Sequence, residues 1–238
     1  DDRVAPLLQR EPGREQAIYE EAVDIAVRLV SQPAPEGLAP YDAPTLRREA
    51  DLFVQWYTPA LGLSVDVEGW HHAWDTVLAP VLTETVRRPV MVLRDYHADN
   101  LMVSPELGQL GLLDFQDALA GHRAYDLVSL LQDARRDVSA VLEATMLGRF
   151  LNGTSIADHV AFRAHYEVLG AQRNAKILGI FTRLWKRDGK PAYPAMHPRI
   201  WGYVERNLAH PALAPVKAWF DANVPAEARG NAVARLAR

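Results

Sequence analysis

Three short apolar runs, 90–93, 101–103 and 110–113, crowd into one stretch of a chain whose other apolar residues mostly recur at helical spacing. The first run leads into a polar loop, Arg94-Asp95-Tyr96-His97-Ala98-Asp99-Asn100, and the third ends on Asp114-Phe115-Gln116-Asp117. Pro105 and Gly108 mark a turn between the second and third. Runs this short, bounded by turn residues, suit strands better than helices. The spacing predicts a small β-ribbon holding two acidic loops side by side, set in a mainly helical α+β fold.

Helices are expected on both sides of the ribbon. Residues 1–14 are polar and read as a short helix and a turn at Pro12-Gly13. Residues 15–30 carry Ile18, Ala22, Ile25 and Leu29 along one helical face, with Glu20, Glu21 and Arg28 elsewhere. The prolines at 33, 35 and 40 predict a loop. Asp42 is then a helix N-cap with Pro44 in the first turn, and Pro59 ends or kinks that helix. A third helix is expected over 70–86, with Trp70, Trp74, Val77 and Val81 inward and a kink at Pro80. Its adjacent histidines, His71 and His72, point to different faces and make a poor metal pair.

Beyond the ribbon the pattern predicts helices over 124–135, 139–151 and 156–184. Asp133, Arg135, Arg136 and Asp137 are expected to form a solvated end. Gly170 and Gly179 imply a break or close packing in the third of these helices. Further helices are expected near 198–208 and 214–220, with Trp201 and Trp219 in the core and a frayed tail over 226–238.

With 238 residues, 49% of them hydrophobic, the chain can bury a substantial core, and it reads as one domain over 1–238. A net charge of −4 gives no reason to expect nucleic acid. Zero cysteines exclude disulfides and thiolate metal sites, which suits the cytoplasm. No apolar stretch reaches the ~18–20 residues of a membrane span, and the start carries no signal-peptide pattern.

The two loops suit phosphoryl transfer. That reaction needs a group to orient and deprotonate the attacking hydroxyl, and oxygen ligands for a metal on the phosphates. Asp95 and Asn100 stand at D-x-x-x-x-N spacing, and Asp114-Phe115-Gln116 stands where kinases carry D-F-G. Asp95 is the candidate base; Asn100 and Asp114 are candidate Mg²⁺ ligands. Two other classes also use such residues. A metal-dependent phosphohydrolase would employ Asp95, His97, Asp99 and Asp114. A non-catalytic ligand-binding module would employ neither a base nor a metal.

The stretch LRDYHADNLM and the later GLLDFQDALAGHRAYDLVSLLQDARRDV resemble the aminoglycoside phosphotransferase and choline kinase superfamily. Its usual loop is H-G-D-x-H-x-x-N. Asp95, His97 and Asn100 match, whereas Leu93 and Arg94 replace the leading pair, so something other than the bracing histidine must hold Asp95. Gln116 replaces the residue commonly found after the metal aspartate. The resemblance implies that Asp126 braces the catalytic loop with Arg94 as its ionic partner, and that His97 supports the loop.

The match extends through GAQRNAKILGIFTRLWKRDGKP and is strongest to the bacterial cell-wall sugar kinases. These phosphorylate N-acetylmuramate and N-acetylglucosamine at the anomeric hydroxyl during peptidoglycan recycling. That resemblance implies ATP and Mg²⁺ as cofactors and a small sugar as substrate, with Gln116, Asp117, Arg173 and Lys176 as candidate substrate contacts. Aminoglycosides and choline-type alcohols are the alternatives within the superfamily. The chain also resembles only the larger, C-terminal lobe of a kinase-like fold. It shows no glycine-rich loop or strand lysine before its first helix. It is therefore expected to be partial, and to transfer phosphate poorly on its own.

Overall fold

The structure is a computed structural model and describes residues 3–104 and 109–237. The chain begins with α1 (Val4–Arg10) and a 3₁₀ turn at Pro12–Arg14, then α2 (Glu15–Val30). Next come α3 (Ala43–Leu52), a π-helical segment Phe53–Tyr57, α4 (Thr58–Ala60) and α5 (Val67–Arg87). The strands follow: β1 (Val90–Val92), β2 (Leu101–Ser104), β3 (Gln109–Leu112) and β4 (Leu119–Gly121). The remainder is helical: α6 (Tyr125–Leu131), α7 (Ala140–Gly153), α8 (His159–Lys186), α9 (His197–Leu208), α10 (Ala214–Asn223) and α11 (Ala232–Leu236). The expected turn at Pro105 and Gly108 lies outside the described residues.

The chain divides into two compact units, residues 1–41 with 84–162 and residues 42–83 with 163–238. The first unit carries the strands. The three apolar runs form not one ribbon but two separate antiparallel pairs. β2 pairs with β3, Leu101 opposite Leu112, and β1 pairs with β4, Val90 opposite Gly121. Leu119–Gly121 was not foreseen as a strand. Gly121 is required there, since a Cβ would come 2.9 Å from the Val92 side chain and 3.3 Å from Tyr41. Behind the strands α2 buries Tyr19, Ala22, Val23 and Ala26, and packs against α7 with its Met146 and Phe150. Ser139 caps α7 by accepting from the Leu142 amide at 3.1 Å.

The helix expected over 124–135 is shorter. It stops at Leu131 because Gln132 leaves helical geometry, at φ −118° and ψ 54°. The segment after it is solvated only in part: Arg135 and Asp137 are exposed, whereas Asp133 is buried and Arg136 half-buried. Asp133 is 1% exposed and accepts from the Arg135 amide at 2.8 Å, and Arg136 pairs with Glu15.

The second unit is built around aromatic rings. Phe53 stacks on Tyr57 and on Trp70, and meets Trp201 and Phe220 edge-on. Trp201 and Trp219 are core residues, as expected. Asp42 caps α3 through the Thr45 amide at 3.0 Å. α5 is helical from Val67, three residues earlier than expected, and continues through Pro80. Glycines inside α8 do not break it. A Cβ on Gly179 would lie 2.2 Å from the backbone of Leu52, so this glycine serves close packing. The contact falls where α3 gives way to the π-helical turn. The tail is less frayed than expected, because α11 buries Ala232 and Val233.

Candidate active site

All of the candidate catalytic, metal and loop-support residues fall in the first unit. Asp95 follows β1 on a tight loop. Its amide donates to Leu93 O at 2.9 Å, and its carbonyl accepts from the His97 amide at 3.1 Å. The same carbonyl accepts from the Asn100 side chain, Nδ2 to O 3.0 Å. That bond uses the amide nitrogen and leaves the Asn100 amide oxygen as the candidate metal donor. The Asp95 carboxylate is exposed.

Strand pairing brings the second acidic loop to this one. Leu101 stands opposite Leu112, and the Leu113 amide donates to Asn100 O at 2.9 Å. Asp114 is therefore one residue from a direct backbone bond to Asn100. It adopts a left-handed backbone, φ 61°, which aspartate tolerates better than most residues. Gln116 Nε2 donates to Asp114 Oδ1 at 2.5 Å. Asn100 and Asp114 thus offer hard oxygen donors and no nitrogen or sulfur, a donor set that fits Mg²⁺.

Asp126, 6% exposed on α6, holds the candidate catalytic loop. Its carboxylate accepts the Leu93 amide at 2.7 Å and the Arg94 amide at 2.9 Å. One turn on, Ser129 Oγ donates to Arg94 O at 3.2 Å. These bonds brace the loop where Leu93 stands in place of a histidine. The Arg94 guanidinium lies over the Tyr41 ring, 5.8 Å from its centroid, and Nη1 reaches Asp117 O at 3.4 Å. Tyr96 anchors the other side, its hydroxyl donating to Ala22 O at 2.7 Å. Burial pushes that phenol's pKa far up, so it is a structural donor and not a proton carrier.

His97 is buried beneath the loop, and its Nε2 lies 3.3 Å from Arg135 Nη1. A guanidinium only donates, so Nε2 is the acceptor in this contact. Arg135 Nε also stands 3.7 Å from Asp99 Oδ2. Ser129 and Arg135 were missed in the sequence as loop contacts. The available signal for Ser129 was its position three residues after Asp126, on the same helical face.

The remaining candidates are differently placed. Gln116 and Asp117 are exposed beside Asp114. Arg173 and Lys176 belong to the second unit. There Arg173 is 3% exposed, and Lys176 pairs with Glu49 at 3.0 Å. His71, also in that unit, meets Asp51 at 3.0 Å.

Over residues 3–165 the chain matches the phosphotransferase enzyme family, and it belongs to that family. It is 40% identical, over 96% of its length, to the N-acetylmuramate/N-acetylglucosamine kinase of Caulobacter vibrioides, of which it covers 66%. It is 34% identical, over 90% of its length, to the protein of the same name from Neisseria meningitidis serogroup B, again covering 66%. The chain thus spans about two thirds of the length of these curated relatives. Among solved structures it resembles the choline kinase of Streptococcus pneumoniae, with a TM-score of 0.54 and 13% identity, over 84% of this chain and 64% of that one. At that identity the likeness speaks for the kinase-like fold alone. Among the described residues no helix is long and apolar enough to cross a membrane.

Proposed function

We propose that the chain carries the acceptor-activating and metal-holding part of an ATP-dependent sugar kinase. Its acceptor is the anomeric hydroxyl of N-acetylmuramate or N-acetylglucosamine, released in the cytoplasm during peptidoglycan recycling. One observation carries the phosphotransferase reading: Asn100 bonds by its side chain to the Asp95 loop and by its carbonyl to the residue before Asp114. Similarity to the curated relatives supports the choice of sugar.

Asp95 orients the reacting hydroxyl and accepts its proton. An anomeric hydroxyl is more acidic than an ordinary alcohol, so an exposed carboxylate suffices. Asn100 and Asp114 hold the metal through oxygen. Bound MgATP supplies the phosphoryl group and the charge neutralisation for its transfer. Asp126 and Ser129 fix the loop, and His97 supports it from beneath. Gln116 and Asp117 are the candidate acceptor contacts in the same unit as the base. Arg173 lies buried in the other unit, where Lys176 is paired with Glu49.

The test is ADP release by the full gene product carrying this chain, with Mg²⁺ and four acceptors: N-acetylmuramate, N-acetylglucosamine, an aminoglycoside and choline. Turnover on the two sugars, giving an acid-labile sugar phosphate, is expected. Turnover only on the aminoglycoside or choline would overturn the sugar assignment, and phosphate release without any acceptor would indicate a hydrolase.

A further inference from the structure

Arg94 is the one long, unbranched side chain among the two described non-glycine residues with positive φ. At φ 72° it occupies backbone space that normally favours glycine. A residue held there against its own preference is over-determined by its surroundings. Asp126 takes its amide at 2.9 Å, and Ser129 Oγ bonds its carbonyl at 3.2 Å. These contacts need only backbone, and glycine would supply them without strain. The arginine side chain adds something else.

Its guanidinium leaves the catalytic loop and reaches the carbonyl of Asp117, three residues beyond Asp114. Tyr41 forms a platform beneath it, 5.8 Å from ring centroid to Cζ. That platform is itself fixed. The Tyr41 hydroxyl donates to Tyr125 Oη at 2.9 Å, its amide donates to Ala120 O at 2.8 Å, and its ring meets Tyr125 edge-on. The loop from 113 to 117 is otherwise exposed throughout, with Phe115 at 61%. It receives a cationic donor from the residue next to the candidate base.

We propose that Arg94 is a positioning residue: its guanidinium ties the metal-binding loop to the catalytic loop and so sets the Mg²⁺ affinity of Asp114. The proposal rests on the phosphotransferase reading of Asp95 and Asp114, and deepens it. The strained backbone is retained because glycine in this place would release the second loop.

Two variants separate side chain from backbone. Arg94→Ala and Arg94→Gly both delete the tie, but only glycine relieves the positive φ. Two readouts apply to the chain itself. The first is hydrogen exchange at the Ala118 amide, which donates to Phe115 O at 3.2 Å, with the Leu113 amide as reference. The second is a Mg²⁺ titration read from the amide resonances of residues 112–116. Loss of one long, exposed hydrogen bond, at the low end of the usual net range, predicts about two- to five-fold faster exchange at Ala118 and about two- to five-fold weaker Mg²⁺ binding in both variants. Leu113 should not change, and Arg94→Gly should melt above Arg94→Ala. A merely structural role would not weaken Mg²⁺ binding in the more stable variant. Unchanged exchange at Ala118 overturns the tie, whatever the site's function. Faster exchange with unchanged Mg²⁺ affinity overturns its link to the metal, as does full recovery of affinity in Arg94→Gly. If the unsubstituted chain gave no Mg²⁺ response at these residues, the metal-loop reading would fail and the proposal with it.

Discussion

Replacing Asp126 should unlatch the candidate catalytic loop at a cost that the structure allows to be worked out. The carboxylate accepts two backbone amides, at 2.7 and 2.9 Å, and is 6% exposed. In Asp126→Ala the Leu93 amide is left buried without this acceptor, while the Arg94 amide is half-buried and can recover water. A buried unsatisfied donor costs about 1–3 kcal/mol, and a hydrogen bond to a charged group contributes about 1.5–3 kcal/mol. Removal of the carboxylate's own desolvation cost offsets part of this, so the net loss should be about 2–5 kcal/mol. Asp126→Asn keeps one acceptor oxygen but turns an NH₂ group towards the second amide. It should lose about 1.5–3 kcal/mol. Against a total stability in the middle of the usual range, about 10 kcal/mol, both variants still fold.

Urea unfolding followed by far-ultraviolet circular dichroism is the appropriate assay. All six tryptophans lie in residues 42–83 and 163–238, so fluorescence reports the unit that lacks Asp126. The melting temperature should fall by about 2–4 °C for each kcal/mol lost. A dichroism-detected loss below about 0.5 kcal/mol in Asp126→Ala, the ordinary scatter of a surface substitution, would refute the bracing role.

Two further outcomes follow from other parts of the fold. Gly179→Ala, which in an isolated helix would add ~1 kcal/mol of stability, should instead cost about 3 kcal/mol or more. Its Cβ meets Leu52 backbone at 2.2 Å, and a melting temperature equal to or above the parent's would contradict that close approach. His197 is fully buried, and burial lowers its pKa from 6.5 to about 4. The unfolded chain therefore binds the extra proton first, so the contribution is intact above pH 6.5 and is lost as pH falls towards about 4. It amounts to about 3 kcal/mol at most, and His197→Gln should flatten the fall in melting temperature across that window; an unchanged slope would remove His197 as its source.

Much of the architecture can be read from local pattern. α2 begins and ends as its apolar spacing predicts, because Pro12-Gly13 and Pro33 bound it and one face alone is apolar. Asp42 is recognisable as a cap because Pro44 follows it in the first turn, and its carboxylate accepts from the Thr45 amide. Asp95, Asn100 and Asp114 could be picked out because each stands at the edge of a short apolar run. What escaped depends on partners distant in sequence. β4 is three residues, Leu-Ala-Gly, with no alternation of its own, and it exists as a strand because β1 lies alongside. The π-helical turn at Phe53–Tyr57 sits where Gly179 lets another backbone approach, and the run FVQWY carries no mark of it. Asp133 belongs to a charged run that reads as solvated. Its burial follows from the end of α6 at Leu131, which folds the next residues inward. The bracing of Asp95 through Asp126 was suggested by resemblance, but the contacts of Ser129 and Arg135 required the structure.

The most direct test of the central claim is sugar-dependent ADP formation by the full gene product and its Asp95→Asn variant, with N-acetylmuramate or N-acetylglucosamine and MgATP. The account predicts that the variant folds and binds Mg²⁺ as the parent does, while turnover falls by ~10²–10⁴-fold, the usual cost of removing a positioned general base. Turnover within a few-fold of the parent would contradict it, because the acceptor hydroxyl would then be losing its proton to some other group.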